Sequence, residues 1–405
     1  MTALLAQPFA AALAEAEKII AGAPHVTSEQ DLAEGQDYLA GSIQACLHLA
    51  WAYQRDFPFF VQSTGPYTKM GLDNPDTLYF HAYVRDDAEY VITGTRGTTA
   101  DLSFQVLKGD YTPVDVPDSL TAFDDRAIEI GANGDFEFRF GPVSAGGLGK
   151  GGPGKTSPGY FTLGPGSAML AVREVHSDWA TERRGTIRIH RAGHEGLAPP
   201  AKADTATAAK RYTVAGKLLL SRLRTFLAFP EWFYLNEPVN TLTPPRRTPG
   251  GLPTQFSSVG HYDLADDEVM IVDVPAAAKE VAPYQGIQLG SMWYISLDYV
   301  NHQTSLTADQ ARIDPDGRMR FVISERNPGV ANWLERTGHS RGYVQLRWQR
   351  LARDLGPEDG PQVQVVKVSD LDKRLPFYDS ARVTPEEWRA RIAARQAAIA
   401  DRMIG

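Results

Sequence analysis

Cysteine is almost absent from this chain. Cys46 stands alone in 405 residues, which excludes an intramolecular disulfide and any cysteine-built zinc cage. Long apolar runs are missing too. No stretch reaches the roughly eighteen consecutive apolar residues of a spanning helix, so no membrane role is expected. Positive charge is in deficit: 41 Lys and Arg stand against 49 Asp and Glu, a net charge of −8. No basic excess remains to neutralise phosphates, and nucleic-acid binding is not expected. A basic leader is lacking as well. The first lysine is Lys18, after Glu15 and Glu17, so no secretory signal is expected and the cytoplasm is the expected compartment. The nine histidines show no zinc spacing. No G-x-S-x-G elbow and no G-x-G-x-x-G between a strand and a helix is found. Neither a metal nor a cofactor is therefore expected.

What is present is ordinary for a folded protein: 43% hydrophobic and 22% charged residues over a length that suits two to three domains. Residues 1–57 read as helices. Ser28 and Asp31 can cap one, with Leu32, Leu39, Ile43, Leu47 and Ala50 following near helical spacing. Residues 58–200 turn to period-two patterns, as in Tyr79, His81 and Tyr83, in Leu102, Phe104 and Val106, and in Phe136, Phe138 and Phe140. Residues 201–255 carry a helical stripe (Tyr212, Leu219, Leu223, Phe226), then a connector with Pro244, Pro245, Pro249 and Pro253.

Residues 256–368 alternate again. Trp293, Ile295, Leu297 and Tyr299 predict a strand, as do Met319, Phe321 and Ile323, and Val344, Leu346 and Trp348. Asp314-Pro315-Asp316-Gly317 and Asn327-Pro328-Gly329 are tight turns, with proline presetting φ and glycine taking the positive φ. In residues 369–405 Thr384, Pro385 and Glu387 announce a helix start. The pattern predicts a mainly β, α+β protein: two jelly-roll-like antiparallel β-sandwich domains joined by a helix, with N- and C-terminal helices.

Gly149 to Thr156 matches the phosphate-loop pattern G-x-x-x-x-G-K-T. That loop works at the start of a helix, and Ser157-Pro158-Gly159 to Gly164-Pro165-Gly166 cannot continue one. A surface loop is expected there, with a lid over a pocket as the functional alternative.

The candidate catalytic residues sit at predicted strand ends, where loops build sites. They are His176, His302 and His339, with Glu325 and Arg326 closing the strand at 319–324. Singly, each histidine reads as a structural hydrogen-bonding residue, and Glu325 and Arg326 can simply satisfy each other. Together they offer proton transfer and charge stabilisation. Tyr67, Lys69, Asn74, Asp76 and Tyr79 form a second polar cluster, which could equally be an Asx-type turn. Trp179, Trp293, Tyr294, Asn332, Trp333 and Arg341 complete the candidate substrate-binding set, the aromatics as flat walls or as core anchors.

Several of these segments carry a resemblance. DDEVMIVDVP, WYISLDYVNHQ, DPDGRMRFVIS and the NWL of NPGVANWLERTGHSRGYVQLRW, within residues 266–350, resemble the C-terminal module of the domain-of-unknown-function family numbered 1214. DNPDTLY and VREVHSDW resemble stretches of its longer members. The resemblance implies jelly-roll sandwiches with helical additions and supplies no catalytic set. The segment Glu335-Arg336-Thr337-Gly338-His339 departs from the family's proline-rich loop.

The function expected from the residues is cofactor-independent lyase chemistry on a small aromatic, phenolic, lignin-derived type of molecule, such as retro-aldol release of formaldehyde. Two alternatives stand beside it. One is a non-catalytic sandwich that binds carbohydrate or another small ligand. The other is a glycan or amide hydrolase using Asp76 and Glu325 as paired carboxylates. The expected partner is a small-molecule substrate, with a homodimer possible.

Overall fold

The computed structural model describes residues 4–109, 118–142, 155–157, 159–199, 204–247 and 252–404. Two helices come first, α1 (Gln7–Ala21) and α2 (Glu29–Ala52). Ser28 caps α2 as its spacing predicts, accepting the Asp31 N–H at 3.1 Å.

The first sandwich comprises β1 (Val61–Thr64), β2 (Thr77–Tyr83), β3 (Tyr90–Thr95), β4 (Asp101–Leu107), β5 (Ser119–Asp124), β6 (Asp135–Gly141), β7 (Lys155–Ser157), β8 (Tyr160–Thr162), β9 (Met169–Val175) and β10 (Thr186–Arg191). Sheet I runs β1-β2-β9-β4-β5 and sheet II runs β10-β3-β6-β8-β7. The alternation does what period two dictates: Phe136, Phe138 and Phe140 of β6 are buried while Glu137 and Arg139 are exposed. The inward faces share a core that includes Phe80, Ile92, Phe104, Phe138 and Val172.

α3 (Thr205–Phe233) bridges to the second sandwich, and Asp204 caps it by accepting the Thr207 N–H at 2.7 Å. That sandwich comprises β11 (Arg246–Arg247), β12 (Phe256–Asp263), β13 (Glu268–Pro275), β14 (Tyr284–Gly290), β15 (Ser305–Thr307), β16 (Arg318–Ser324), β17 (Trp333–Glu335), β18 (Arg341–Gln349) and β19 (Gln362–Lys367). Sheet III runs β11-β12-β18-β14-β15 and sheet IV runs β17-β16-β13-β19. Among the described strands all pairings are antiparallel except β6 with β8 and β16 with β17. The turn at Gly317 forms as predicted, with φ of +79° and its N–H donated to Asp314 O at 2.9 Å.

The short helices α4 (Leu371–Arg374) and α5 (Tyr378–Ala381) and the long α6 (Pro385–Ile404) close the chain. Thr384 and Glu387 make the predicted capping box: each backbone N–H is taken by the other's side chain, at 2.7 and 3.2 Å. Trp388 of α6 packs on Trp333 with ring centroids 4.8 Å apart. No described helix is long and apolar enough to cross a membrane.

The run Trp293 to Tyr299 is a correction. It forms no strand beyond an isolated bridge at Ser296. Tyr294 takes a φ of +58°, and the segment folds as a buried loop. Its alternate side chains go to different neighbours. Trp293 and Ile295 pack under α1 and α2, and Tyr294 packs beside Phe229 and Tyr234. Leu297 enters the core of the second sandwich and Tyr299 packs with Trp179 and α6, so period two was made by several separate cores rather than by two faces of a sheet. The phosphate-loop pattern ends in β7, where Lys155 and Thr156 open a strand instead of a helix; Gly149 to Gly154 lie outside the described residues, as does Pro249 of the connector.

Strand burial shows how the two sandwiches meet. β4 and β14 are buried at every position and β18 at every position after Arg341, although β4 and β18 carry polar residues at alternate positions and β14 carries Gln285 and Gln288. One face of each strand lies in its own sandwich core. The other, polar face is covered by the opposite sandwich. Sheets I and III therefore confront each other with polar faces, the only faces left once the apolar sides are spent on the cores.

Candidate functional site

A cavity of about 180 Å³ lies where sheets I and III and the last turns of α3 converge. An apolar cavity of roughly 150 Å³ can hold a benzene ring, so this one suits a single aromatic ring with a small substituent.

Strand register sets the sheet I wall. Tyr79 of β2 pairs with Arg173 of β9, and His81 pairs with Ala171, which in turn faces Gln105 of β4. The opposite wall comes from sheet III, where Arg347 of β18 sits between Ser257 and Gly286, with Gln345 and Gln349 two residues away on either side. Phe226, Phe229, Phe233 and Tyr234 supply an aromatic wall from the end of α3. They follow helical spacing, so one stripe of α3 faces the cavity.

The loop Met70 to Asn74 closes the space and is strained. Gly71 has φ of +65°, and a Cβ there would lie 2.6 Å from the Phe226 ring. Leu72 has φ of +49°, and its N–H is donated to the carbonyl of Tyr294, itself left-handed, at 2.6 Å. Two non-glycine left-handed residues joined by a hydrogen bond on a cavity wall cost about 1–3 kcal/mol each, strain that tends to collect at functional sites.

His81 is nearly buried, and its Nδ1 lies 3.0 Å from Ser63 Oγ. Burial, then the charges of Arg222 and Arg173, push its pKa down to about 3, so the imidazole is neutral. Tyr79 accepts the Asn74 N–H at 2.9 Å, and burial raises its pKa, so its phenol keeps its proton. Tyr234 donates to Gln345 Oε1 at 3.0 Å. Among the described residues Asp73 is the one carboxylate on the cavity lining. It accepts from Ser296 N and Oγ at 3.2 and 2.9 Å; burial raises its pKa, and Lys69 is the cation that most opposes the rise.

The structure brings Asn74, Tyr79 and Tyr294 of the predicted set to this cavity. Two more stand next to it. Lys69 donates to the carbonyls of Ser296 and Leu297, both at 2.8 Å, and so holds the 291–300 loop. Asp76 lies in the seam between the sandwiches, taking Tyr284 Oη at 2.7 Å and Trp179 Nε1 at 2.8 Å. Arg395 and Arg402 of α6 lie over the Trp179 ring at 4.4 and 4.5 Å, which makes Trp179 a seam anchor rather than a cavity wall.

The predicted catalytic set does not assemble, and none of its five members lines the cavity. His176 is buried in the seam beside Asp76, and burial pushes its pKa down to about 3. His302 is half-exposed with Nδ1 2.9 Å from Glu335 Oε2. His339 bridges Glu34 of α2 at 2.8 Å and the Arg336 carbonyl at 2.8 Å. Glu325 accepts the Gly338 N–H at 3.0 Å, and Arg326 is exposed. Asp76 and Glu325 therefore serve separate neighbourhoods.

The remaining predicted residues lie off the cavity lining. Tyr67 is 72% exposed. Trp293 donates Nε1 to Asp31 O at 2.8 Å beneath α2. Trp333 donates to Ser324 O at 3.1 Å. Asn332 brackets Arg312 through its backbone N–H and carbonyl, at 2.7 and 2.8 Å. Arg341 reaches Thr27 Oγ1 at 3.3 Å, near the start of α2. Strand-end position was true of the histidines, but it does not say which end of which sheet. The residues missed are His81, Arg173, Arg347, Asp73, Phe226 and Phe229. The available signal was polar residues recurring at period two on strands too apolar elsewhere to face water.

The fold is shared with a known structure. The chain is similar to an uncharacterised protein from Burkholderia cenocepacia, at 25% identity and a TM-score of 0.76 over 90% of this chain and 96% of that one. A protein from Vibrio parahaemolyticus aligns at 12% identity and a TM-score of 0.42, over 82% of this chain and 98% of that one. No family model matches the chain, and no curated protein does. Among the described residues no group of three or more His, Cys, Asp or Glu is gathered as a metal site.

Proposed function

We propose that the protein is an acid–base enzyme of the lyase type, acting on a small aromatic molecule in the cavity between the two sandwiches and α3. The supporting observation is a neutral imidazole, a protonated phenol and the guanidiniums of Arg173 and Arg347 on one lining, beneath an aromatic wall sized for one ring. The role expected of the strand-end histidines passes to His81.

His81 takes the proton of a side-chain hydroxyl on the substrate. The O–H electron pair becomes the C=O of a departing aldehyde. The C–C pair moves into an acceptor conjugated with the ring, and that acceptor is reprotonated, with Tyr79 as the nearby donor. Formaldehyde is the product when the hydroxyl is a terminal CH₂OH. At a pKa near 3 the imidazole is a weak base in the empty cavity. Burial is the largest cause, and a bound group that offsets the Arg222 and Arg173 charges removes only the remaining part of the shift, raising its basicity to that extent.

The second reading is a non-catalytic binding protein. It draws on Asp73, whose carboxylate is engaged by Ser296 and lies under the charge of Lys69, so it is not a free base. One experiment separates the two. Phenolic compounds with side-chain hydroxyls are incubated with the protein, and thermal stabilisation and released aldehyde are both measured. Turnover that drops by about 10²–10⁴ in His81→Gln, with binding retained, supports the enzyme. Stabilisation without product supports the binder. Turnover unchanged in His81→Gln ends the proposed mechanism.

A further inference from the structure

Four arginines and one aspartate line the cavity, and they are not equally matched. Arg246 pairs with Glu237 at 3.2 Å and Arg247 with Asp354 at 2.6 Å, both near the surface. Arg173 and Arg347 differ. The Arg173 side chain makes one hydrogen bond among the described residues, to the amide oxygen of Gln105 at 2.8 Å. Arg347, 8% exposed, donates to the Gln288 amide oxygen and to the Leu72 carbonyl, the latter at 2.7 Å. All these acceptors are neutral, and neither guanidinium forms an ion pair with a carboxylate among the described residues. Asp73, the carboxylate in reach, is held by Ser296, with Lys69 as its principal cation.

Burying a guanidinium without a counter-ion costs several kcal/mol, and proteins seldom do it except where an anion completes the site. Here Arg347 of sheet III is such a group, and Arg173 of sheet I, part-buried, lines the opposite wall of the same one-ring space. Each keeps donors beyond those already used, since a guanidinium carries five N–H groups. The remaining walls are aromatic.

We propose that the ligand of this cavity is a small aromatic carboxylate, its anionic group received by Arg173 and Arg347 and its ring packed against Phe226, Phe229 and Tyr234. This deepens the reading above by naming the substrate class, and it rests on the same cavity. A carboxylate offers two charged oxygens, one for each guanidinium, whereas a neutral amide or alcohol offers one uncharged acceptor oxygen and no charge assistance. The carboxylate would also offset the arginine charge that disfavours a proton on His81, coupling recognition to base strength.

The test is calorimetric titration at constant ionic strength with three probes of one shape: benzoate, benzamide and benzyl alcohol. Benzoate should bind roughly tenfold or more tighter than benzamide. Arg173→Gln should erase that preference, while Arg173→Lys should keep part of it. Arg347→Gln is the riskier variant because it also frees the Leu72 carbonyl, so Arg173 carries the test, with folding checked by circular dichroism. Benzamide binding as tightly as benzoate overturns the proposal. So does a preference that survives Arg173→Gln, or no benzoate binding up to about 10 mM. His81→Gln separates this from the acid–base reading: it should retain benzoate binding, so a protein that selects the acid yet turns over normally without His81 loses that reading alone.

Discussion

Asp101 offers a measurable consequence of the way the two sandwiches meet. It opens β4, is 1% exposed, and neither of its carboxylate oxygens has a hydrogen bond. Burial raises its pKa from 3.8 to about 7; the neighbouring charges of Asp124 and Asp125 push the same way, and Arg350 and Arg96 oppose them. At about 1.4 kcal/mol per pKa unit, a rise of roughly three units corresponds to about 4 kcal/mol, or about 2–4 kcal/mol if the site relaxes. The folded pKa lies above the unfolded one, so the native state holds this proton more tightly. That stability is fully present below about pH 3.8 and is lost as pH rises through about 7. Asp101→Asn keeps the shape and removes the charge. The variant should match the parent near pH ~4 and exceed it by about 2–4 kcal/mol above pH ~8. Urea unfolding at both pH values reads the difference. Parallel stability profiles for parent and variant would refute the account of a carboxyl buried without partners.

Three further outcomes are expected. Gly35→Ala should destabilise by about 1–3 kcal/mol, because the new Cβ would lie 2.4 Å from Trp293 Cζ2 and 2.9 Å from Ile20 Cγ2; an unchanged melting temperature would contradict the close packing of α2 on the 291–300 loop. Thr384→Ala should cost about 1 kcal/mol by opening the α6 capping box, and should speed amide exchange in the first turn of α6. The His339 pKa is raised above 6.5: burial alone would lower it, but the Glu34 contact and charge, the Arg336 carbonyl and Asp31 outweigh burial. The stability from this contact is present below pH 6.5 and lost as pH rises through the raised value. Glu34→Gln should therefore weaken the protein more at pH ~6 than at pH ~9, and equal losses at both would remove the ion pair from the account.

Much of the candidate site was visible as pattern but not as a site. Tyr79 and Asn74 were noted from their polar cluster, and both reach the cavity. His81 was visible only as one step in an alternating strand, and a lone strand histidine does not announce which layer covers it. The three strand-end histidines looked like a set because they shared a kind of position. His302 and His339 engage Glu335 and Glu34 outside the cavity, while His176 lies in the seam beside α6.

By itself the sequence determined the local grammar of this protein. Alternation marked the strands of both sandwiches, Asp314 to Gly317 marked a hairpin turn, and Ser28 and Thr384 marked helix starts. Each of these depends on residues within about four positions, so neighbouring side chains decide them. Tertiary structure alone decided where Tyr79, Arg173 and Arg347 meet. Tyr79 and Arg173 are neighbours through the register of β2 on β9, and Arg347 joins them when sheet III covers sheet I. Alternation told which residues share a face; only the packing of one sandwich on the other told what that face looks at.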